Sequence, residues 1–535
     1  MASERSKNAH GQYFTPRPIA DLMVQLLSAG TTDRILEPCS GAGVFLDALT
    51  DAGFQSVTAI EIDPDLASHE KIAVRNESFV AFRTPDQFRA VIGNPPYIRW
   101  KDLSEHSKQE MQNHLLFGSL FNSLSDYLTV FIAGSIELLE DGGELIFITP
   151  SFWMHTQHSA PLREWMLSRG QVTSVVDFGE ATVFDKVASA IVIFKFVKSA
   201  RGHEHATLHR YIGPRRVPAT QIDLSDSTLF VESAIRSFSM ESHWSLSTDE
   251  ELEAADALEQ DCSISTNDFL SSSRHATLGE SVDIANGMVS GLDRAFRIHQ
   301  DLEQDLNEAE REARIPVIKA FALEPLMSPT ITWYINIPTG LSEGQVEEMY
   351  PHFYTHLLSF RTELELRYSY GRELPFWEWA FRRSEKFFLS PTRKGFVPCK
   401  ERLTNRPTAR FSLTREWAVA TQDVTGFQPL TGVRESIEYI VAYLNHEAVT
   451  DWVRVRGLMK GGIAEFSERP LASIPFRSIN WDDAAERELH DTITSIMKSL
   501  SSNSAKDSVI SELGDMFAVL LPSASKVLED RSVIA

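Results

Sequence analysis

Residues 34–50 read RILEPCSGAGVFLDALT. A short apolar run of strand type enters a turn holding Gly41 and Gly43, and an amphipathic run follows, so the stretch reads as strand, glycine turn, helix. Glycines in that place let backbone approach a ligand closely. The spacing is not GxGxxG, and no GKS or GKT accompanies it, which sets aside a P-loop and a bound triphosphate. Outward from this point the alternation continues. Residues 17–30 have the periodicity of an amphipathic helix. VTAIEID at 57–63 and AVIGNPPY at 90–97 read as a second and third strand, and helical, apolar patterns fill 104–139. The turn DGG then leads into ELIFITP, and a helix near 159–169 precedes VTSVVDFG and ASAIVIFKFV. Strands alternating with helices predict an α/β fold, a doubly wound and mostly parallel sheet with ligands at the carboxyl ends of its strands.

The chain has 535 residues, too many for one ordinary core, and two domains are expected. Residues 1–240 form the first, because the alternating pattern breaks into mixed polar segments from about 200 and an acidic helix, TDEELEAADALEQ, with the Ser-rich ISTNDFLSSSR follows. Residues 241–535, where aromatic and basic residues interleave, form a second, mixed α/β domain. Hydrophobic residues make up 43% and charged residues 23%, the balance of a globular protein. Cys39, Cys262 and Cys399 lie far apart and read as structural thiols in a reducing compartment. No apolar run is long enough to span a membrane and the start lacks a signal-type segment, so a cytosolic protein is expected. The histidines have no HExxH or paired ligand spacing, and no metal is expected.

A net charge of −23 repels phosphate on average, so any nucleic-acid surface must be local. Between Arg236 and Arg274 there are nine Asp/Glu and no Lys/Arg, whereas Arg382 through Glu416 holds ten Lys/Arg against three Asp/Glu. Arg382, Arg383, Lys386, Arg393, Lys394 and Lys400 are therefore the candidate phosphate contacts, with Trp377 and Trp379 as packing or stacking groups. A solvated charged face is the alternative reading of that run.

Two constellations carry chemistry. Glu37, Gly41 and Gly43 at one strand end, with Glu61 and Asp63 at the next about twenty residues on, suit a nucleoside-containing cofactor whose ribose hydroxyls need an acceptor. Asn94-Pro95-Pro96-Tyr97 at the third strand end suits an amino group conjugated to a π-system. Such a nitrogen is a poor nucleophile, and acceptors on its hydrogens favour the pyramidal geometry of attack. The Asn94 side-chain oxygen and the Pro95 carbonyl can supply them, the prolines stiffen the loop, and Tyr97 would stack on the base. No covalent enzyme intermediate is required. The tetrapeptide alone leaves adenine N6, cytosine N4, an RNA adenine or a glutamine amide as nucleophile. A non-catalytic DNA-binding subunit would need the site to be vestigial, yet its motifs are intact.

The ordered set GQYFTP at 11–16, EPCSGAG at 37–43, EID at 61–63, GNPPY at 93–97, DGGELIFITPSFW at 141–153 and VFDKVASAIVIF at 183–194 resembles the gamma-class N6-adenine DNA methyltransferases of the TaqI type. NPPYIRW looks closest to PstI/AccI-like modification methylases. The match covers about the first 200 residues. It implies a seven-stranded, Rossmann-like domain that binds S-adenosylmethionine, followed by a target-recognition domain; GMVSGLDRAF at 287–296 and RGLMKGGIAEFSERPLASIPF at 456–476 resemble segments of such domains. It also implies duplex DNA as substrate, a base flipped from the stack, a prokaryotic cytosol or nucleoid, and cleavage left to a separate cognate restriction endonuclease. By the same resemblance Tyr13, Thr15, Glu37, Cys39, Gly41, Gly43 and Asn94 would surround the cofactor's methionine end. Glu61 and Asp63 would hold its ribose, and Ile62, Ser78 and Phe79 its adenine. Phe184 would stack on the target base opposite Tyr97. One position departs: the family usually has Asp before the Phe79 position to bind the cofactor's adenine amino group, and this chain has Glu77-Ser78, which leaves that contact open between Ser78 and Glu77.

Overall fold

The structure, a computed structural model, describes residues 14–123, 125–184, 190–199, 202, 204–236, 238, 244–264, 274–368, 371, 373–404, 406–500 and 506–534. Tyr13 and the Asp185-Lys186 pair of the VFDK motif lie outside the described residues. The chain divides into two compact units, Met1–Glu250 and Glu251–Ala535.

The first unit is built on one sheet. Its strands are β1 (Arg34–Glu37), β2 (Ser56–Glu61), β3 (Val74–Asn76), β4 (Phe88–Gly93), β5 (Leu139–Pro150), β6 (Gly170–Asp177), β7 (Ile191–Lys198), β8 (His205–Tyr211) and β9 (Phe230–Arg236), and they lie in the order β3-β2-β1-β4-β5-β7-β6-β8-β9. Pairings among β3, β2, β1, β4 and β5 are parallel; β7 runs antiparallel between β5 and β6. Among the described residues the sheet has nine strands, where seven were expected. The additional pair arises from 205–211 and 230–236, which fall in the stretch read as mixed polar. Ala206 and Leu208 of β8 and Ile235 of β9 are buried in one layer, Tyr211 and Phe230 in the other, and the polar residues between them break up the strand pattern. β8 joins β6 in parallel and β9 closes on β8 antiparallel.

Central strands are buried on both faces, and successive residues face opposite layers. Ile35 of β1, Ala90 and Ile92 of β4, and Ile146 and Ile148 of β5 meet the helices α1 (Arg17–Gln25) and α2 (Val44–Asp51) through Ile19, Leu22, Met23, Phe45 and Leu49. Leu36, Val91, Leu145 and Phe147, one register step along, meet the other layer; it also holds Val130 and Ile136 of α4 (Tyr127–Leu138) and Leu162 and Met166 of α5 (Ala160–Arg169). A short helix, α3 (Glu105–Gln112), precedes α4. The chain leading out of α1 is pinned to the sheet by Glu144, whose carboxylate accepts from the Ser28 and Ala29 amides at 2.6 and 2.9 Å and pairs with Lys195 at 2.8 Å.

Strand order reverses between β2-β1 and β4, and the carboxyl ends of β1 and β4 open side by side there. This switch point is where doubly wound sheets leave a crevice for ligands.

The second unit is mixed α/β. It includes a four-stranded sheet of Val282–Asn286, Val424–Pro429, Gly395–Pro398 and Ser412–Leu413, and two three-stranded sheets. One core gathers Tyr439, Tyr443, Trp452 and Phe517 with the helices around them, and another gathers Phe296, Phe353, Trp379 and Phe396. Among the described residues no helix is long and apolar enough to cross a membrane.

Candidate active site

β1 ends at Glu37 and the chain turns through Pro38–Gly43 before entering α2. Gly41 and Gly43 take left-handed φ values of 52° and 85°, which a side chain would strain. The turn is held by Glu61 from the end of β2. One of its carboxylate oxygens accepts from the Gly41 amide at 2.7 Å and the other from the Asp63 amide at 2.9 Å. The acid expected to bind a ribose therefore also fixes the glycine turn.

Glu37 is wholly buried. One oxygen accepts from the Cys39 amide at 3.3 Å; the other has no hydrogen-bond partner among the described residues. Burial, reinforced by the charge of Glu61 and opposed by the Cys39 amide, pushes its pKa well above the usual carboxylate range. The Ser40 hydroxyl is a second buried polar atom without a partner there. Unsatisfied polar atoms at the end of a sheet call for a polar ligand group.

Across the crevice β4 delivers Gly93 and the tetrapeptide. A Cβ on Gly93 would stand 2.7 Å from a Glu37 oxygen and 3.7 Å from the Cys39 sulfur, so the absence of a side chain is what lets the ends of β1 and β4 meet. Asn94 is bound on three sides: its amide nitrogen donates to the Thr15 hydroxyl at 3.1 Å, its side-chain oxygen accepts from the Tyr97 hydroxyl, and its main-chain carbonyl accepts from the Cys39 thiol at 3.3 Å. Burial, then the charges of Glu37 and Glu61, push the Cys39 thiol well up, which keeps its proton available for that contact. The Tyr97 hydroxyl also reaches the Ile148 carbonyl of β5 at 2.7 Å.

Between these elements lies a cavity of about 450 Å³. Of the expected residues, Thr15, Cys39, Gly41, Glu61, Ile62, Ser78, Phe79, Asn94, Pro95 and Pro96 line it. Glu37, Gly43 and Asp63 do not form its wall; they stand behind it in the turn and at the β2 end. Phe79, from the turn after β3, is backed by Phe131 of α4, the ring centroids 4.9 Å apart. Sequence reasoning missed the side of the cavity formed by Ser104, His106, Ser107, Tyr127 and Phe131. Tyr127 and Phe131 sit one helical turn apart, a signal that reads as core, and nothing in the polar 104–107 stretch marks it beforehand.

Two expected residues stand apart from this cavity. Tyr97 does not line it; its hydroxyl lies against the Asn94 side-chain oxygen and the Ile148 carbonyl and anchors the tetrapeptide. Phe184 is only 3% exposed and belongs with Val183, Phe178 and Ile191 to the core that also holds the apolar residues of α1 and α2. It is not at the cavity.

The basic strip of the second unit is also largely engaged. Arg393 pairs with the buried Glu438, and Lys394, 2% exposed, donates to the Ser390 and Thr392 carbonyls at 2.7 and 2.8 Å. Arg383 donates to the Gly287 carbonyl at 2.6 Å, and Arg382 to Glu385 and the Ile337 carbonyl. These four make contacts within their own unit; Lys386 and Lys400 are exposed. Trp377 and Trp379 are buried packing groups, the latter donating to the Ile335 carbonyl at 2.9 Å.

Residues 45–184 match the model of the Eco57I restriction-modification methylase family, and residues 1–56 that of the N-6 DNA Methylase family. The chain is 37% identical over 506 residues to the Type II methyltransferase M.HindII of Haemophilus influenzae, covering 94% of this chain and 95% of that one. It is 36% identical over 502 residues to M.HincII, also of Haemophilus influenzae, with the same coverage. Among solved structures, the Type IIL restriction-modification enzyme MmeI in complex with DNA shares the fold at a TM-score of 0.57, covering 96% of this chain and 72% of that one at 10% identity. With two relatives matched along nearly their whole length, the chain belongs to the Type II methyltransferases and is a gamma-class, adenine-specific DNA methyltransferase of the restriction–modification kind.

Proposed function

We propose that this protein methylates N6 of a specific adenine in duplex DNA at the β1–β4 switch point, with S-adenosylmethionine as donor and the adenine turned out of the stack. The observation that carries the reading is the cavity that joins the glycine turn, Glu61 and Phe79 on one side to Asn94-Pro95-Pro96 on the other. Its volume falls in the usual range for a small-molecule site.

The residues fit the cofactor. The partnerless, wholly buried Glu37 oxygen and Ser40 hydroxyl mark the polar end of the crevice, and Gly41, with open space where a Cβ would stand, admits a ligand close to backbone. Thr15 and the turn at Glu37 would hold the methionine end, Glu61 the ribose, and Ile62 with Phe79 the adenine. When bound, the cofactor supplies a sulfonium methyl to be attacked.

The chain's own part is to make a weak nucleophile attack. The Asn94 side-chain oxygen, which accepts from Tyr97, and the Pro95 carbonyl are the two acceptors for the hydrogens of the target amino group. Thr15, Cys39 and Tyr97 hold Asn94 before substrate arrives, so little reorganisation remains for the reacting geometry. Pro95 and Pro96 fix φ beside it. A base inside the duplex cannot reach this crevice, hence the extrusion. The second unit then serves target recognition, which suits a chain whose overall charge repels DNA.

The experiment is transfer of a labelled methyl group to duplex DNA followed by digestion to nucleosides. N6-methyladenine is expected with the wild type. Asn94→Ala should lower turnover by about 10²–10³-fold while cofactor affinity stays within about twofold. Label appearing on cytosine or on protein, or full turnover in the variant, would overturn the reading.

A further inference from the structure

Ser78 stands where the family usually places a carboxylate, and the structure supplies one from elsewhere in the chain. The Ser78 hydroxyl donates to Glu110 Oε2 at 2.7 Å, and Glu110 comes from α3, thirty-two residues on and outside every motif quoted above. The Glu110 side chain is 14% exposed, and its other oxygen stands 3.4 Å from His106 Nε2, one helical turn earlier. Ser78 lines the cavity beside Phe79; Glu110 lies behind it. The buried phenol of Tyr127 is raised to about 12 by burial and by the charge of Glu110, with the neighbouring Ser78 and Ser107 hydroxyls opposing the shift.

A serine hydroxyl has one proton and two lone pairs, and a carboxylate only accepts. With its proton committed to Glu110, Ser78 has nothing to donate to the cavity. Even if Tyr127 takes one lone pair, the other remains. Ser78 itself therefore offers the cavity an acceptor and no donor, which discriminates between bases. An exocyclic amino group is welcomed there, whereas a carbonyl oxygen meets a lone pair.

We propose that Ser78 is the acceptor that selects adenine in the cofactor through its exocyclic amino group, and that Glu110 is a positioning residue that makes Ser78 an acceptor by holding its proton. This rests on the cofactor reading above. It bears on the departure at Glu77-Ser78: besides Glu77, which lines the cavity, a second carboxylate stands one hydroxyl behind Ser78, on α3.

The test is equilibrium binding by calorimetry of S-adenosylhomocysteine and of its hypoxanthine counterpart, in which a carbonyl replaces the amino group. Wild type should prefer the adenine form by at least tenfold, the worth of one hydrogen bond of about 1.4 kcal/mol. Ser78→Ala should weaken the adenine form by about tenfold and leave the hypoxanthine form nearly unchanged. Glu110→Ala should narrow the preference to within about threefold with Ser78 still present, because the freed hydroxyl can then donate to a carbonyl. Glu110→Gln should restore it, since the amide oxygen accepts the same proton. Thermal melting of each variant checks that the fold is kept, and Ser78→Ala, which removes one oxygen, serves if Glu110→Ala does not fold. Unaltered preference in Ser78→Ala, or in a folded Glu110→Ala, overturns the proposal while leaving the cofactor site standing. Failure of wild type to bind S-adenosylhomocysteine at all overturns both.

Discussion

Glu37 is the residue whose physical state says most about the site. A carboxyl group with no exposed surface and one empty oxygen is costly when ionised, and burial raises its pKa in the folded chain. The folded protein then binds this proton more tightly than the unfolded chain does. The stability so gained is fully present below the unfolded value, near 4.5, and is lost as pH rises towards the folded value. Glu37→Gln carries no charge at any pH. The ligand-free variant should therefore melt above the wild type at neutral pH, with the gap widening as pH is raised from about 5 to about 8. Melting curves across that range check it, and a gap independent of pH would mean that Glu37 titrates normally. At this scale the sequence was partly legible. Glu37, Asn94 and Glu61 stand out because a strand end beside glycine or proline is an unusual place for them. Tyr97 and Phe184 mark the limit: an aromatic next to a motif has the same letters whether it faces a ligand or the core, and only the path of the chain after β4 and between β6 and β7 decides.

Elements carry the site by bringing two strand ends into contact. β1 and β4 are parallel neighbours, paired through Ile35 with Ala90 and Leu36 with Val91, and Gly93 continues that register to the point where Glu37 passes behind it. A methyl group on Gly93 would meet the Glu37 oxygen at 2.7 Å, and the strand has no slack to retreat while β5 holds its other edge. Gly93→Ala should therefore cost about 1–3 kcal/mol of stability by overpacking and should weaken cofactor binding together with methyl transfer. Denaturant titration and calorimetry give the two readings. A variant of native stability and affinity would show that Glu37 and the turn can move aside at no cost. The central strands were legible because both of their faces are apolar and glycine or proline marks their ends. β8 and β9 were not, since their few buried residues are split between the two faces, Ala206, Leu208 and Ile235 in one core and Tyr211 and Phe230 in the other, with polar residues between. The α3 side of the cavity was hidden more thoroughly. Its residues are polar and act through positions that only the packing of α3 and α4 against the turn after β3 defines.

For the whole molecule the governing fact is a charge of −23 on a protein that must hold a polyanion. Local concentration of lysine and arginine between 382 and 416 suggested where the compensation lies, but composition counts charges without asking what they are doing. Lys394 caps two carbonyls from a position sealed off from solvent, and Arg393 neutralises buried Glu438. Charges spent inside the second unit cannot release counterions from DNA. Lys386 and Lys400 are exposed and can. The two groups of residues should therefore separate in one set of measurements. Lys394→Glu places a carboxylate against the Ser390 and Thr392 carbonyls and should lose several kcal/mol of stability, visible as a lowered Tm before any DNA is added. Lys386→Glu combined with Lys400→Glu should leave the Tm within about 1–2 °C of wild type, as surface changes do. The same double variant should reduce the slope of log K against log salt concentration by up to about 1.8, or roughly 0.9 for each phosphate contact removed, on cognate and non-cognate duplexes alike. Fluorescence anisotropy at several salt concentrations gives that slope. If it is unchanged, these two lysines lie off the DNA path, and the compensating charge must come from a part of the surface that neither composition nor burial singled out.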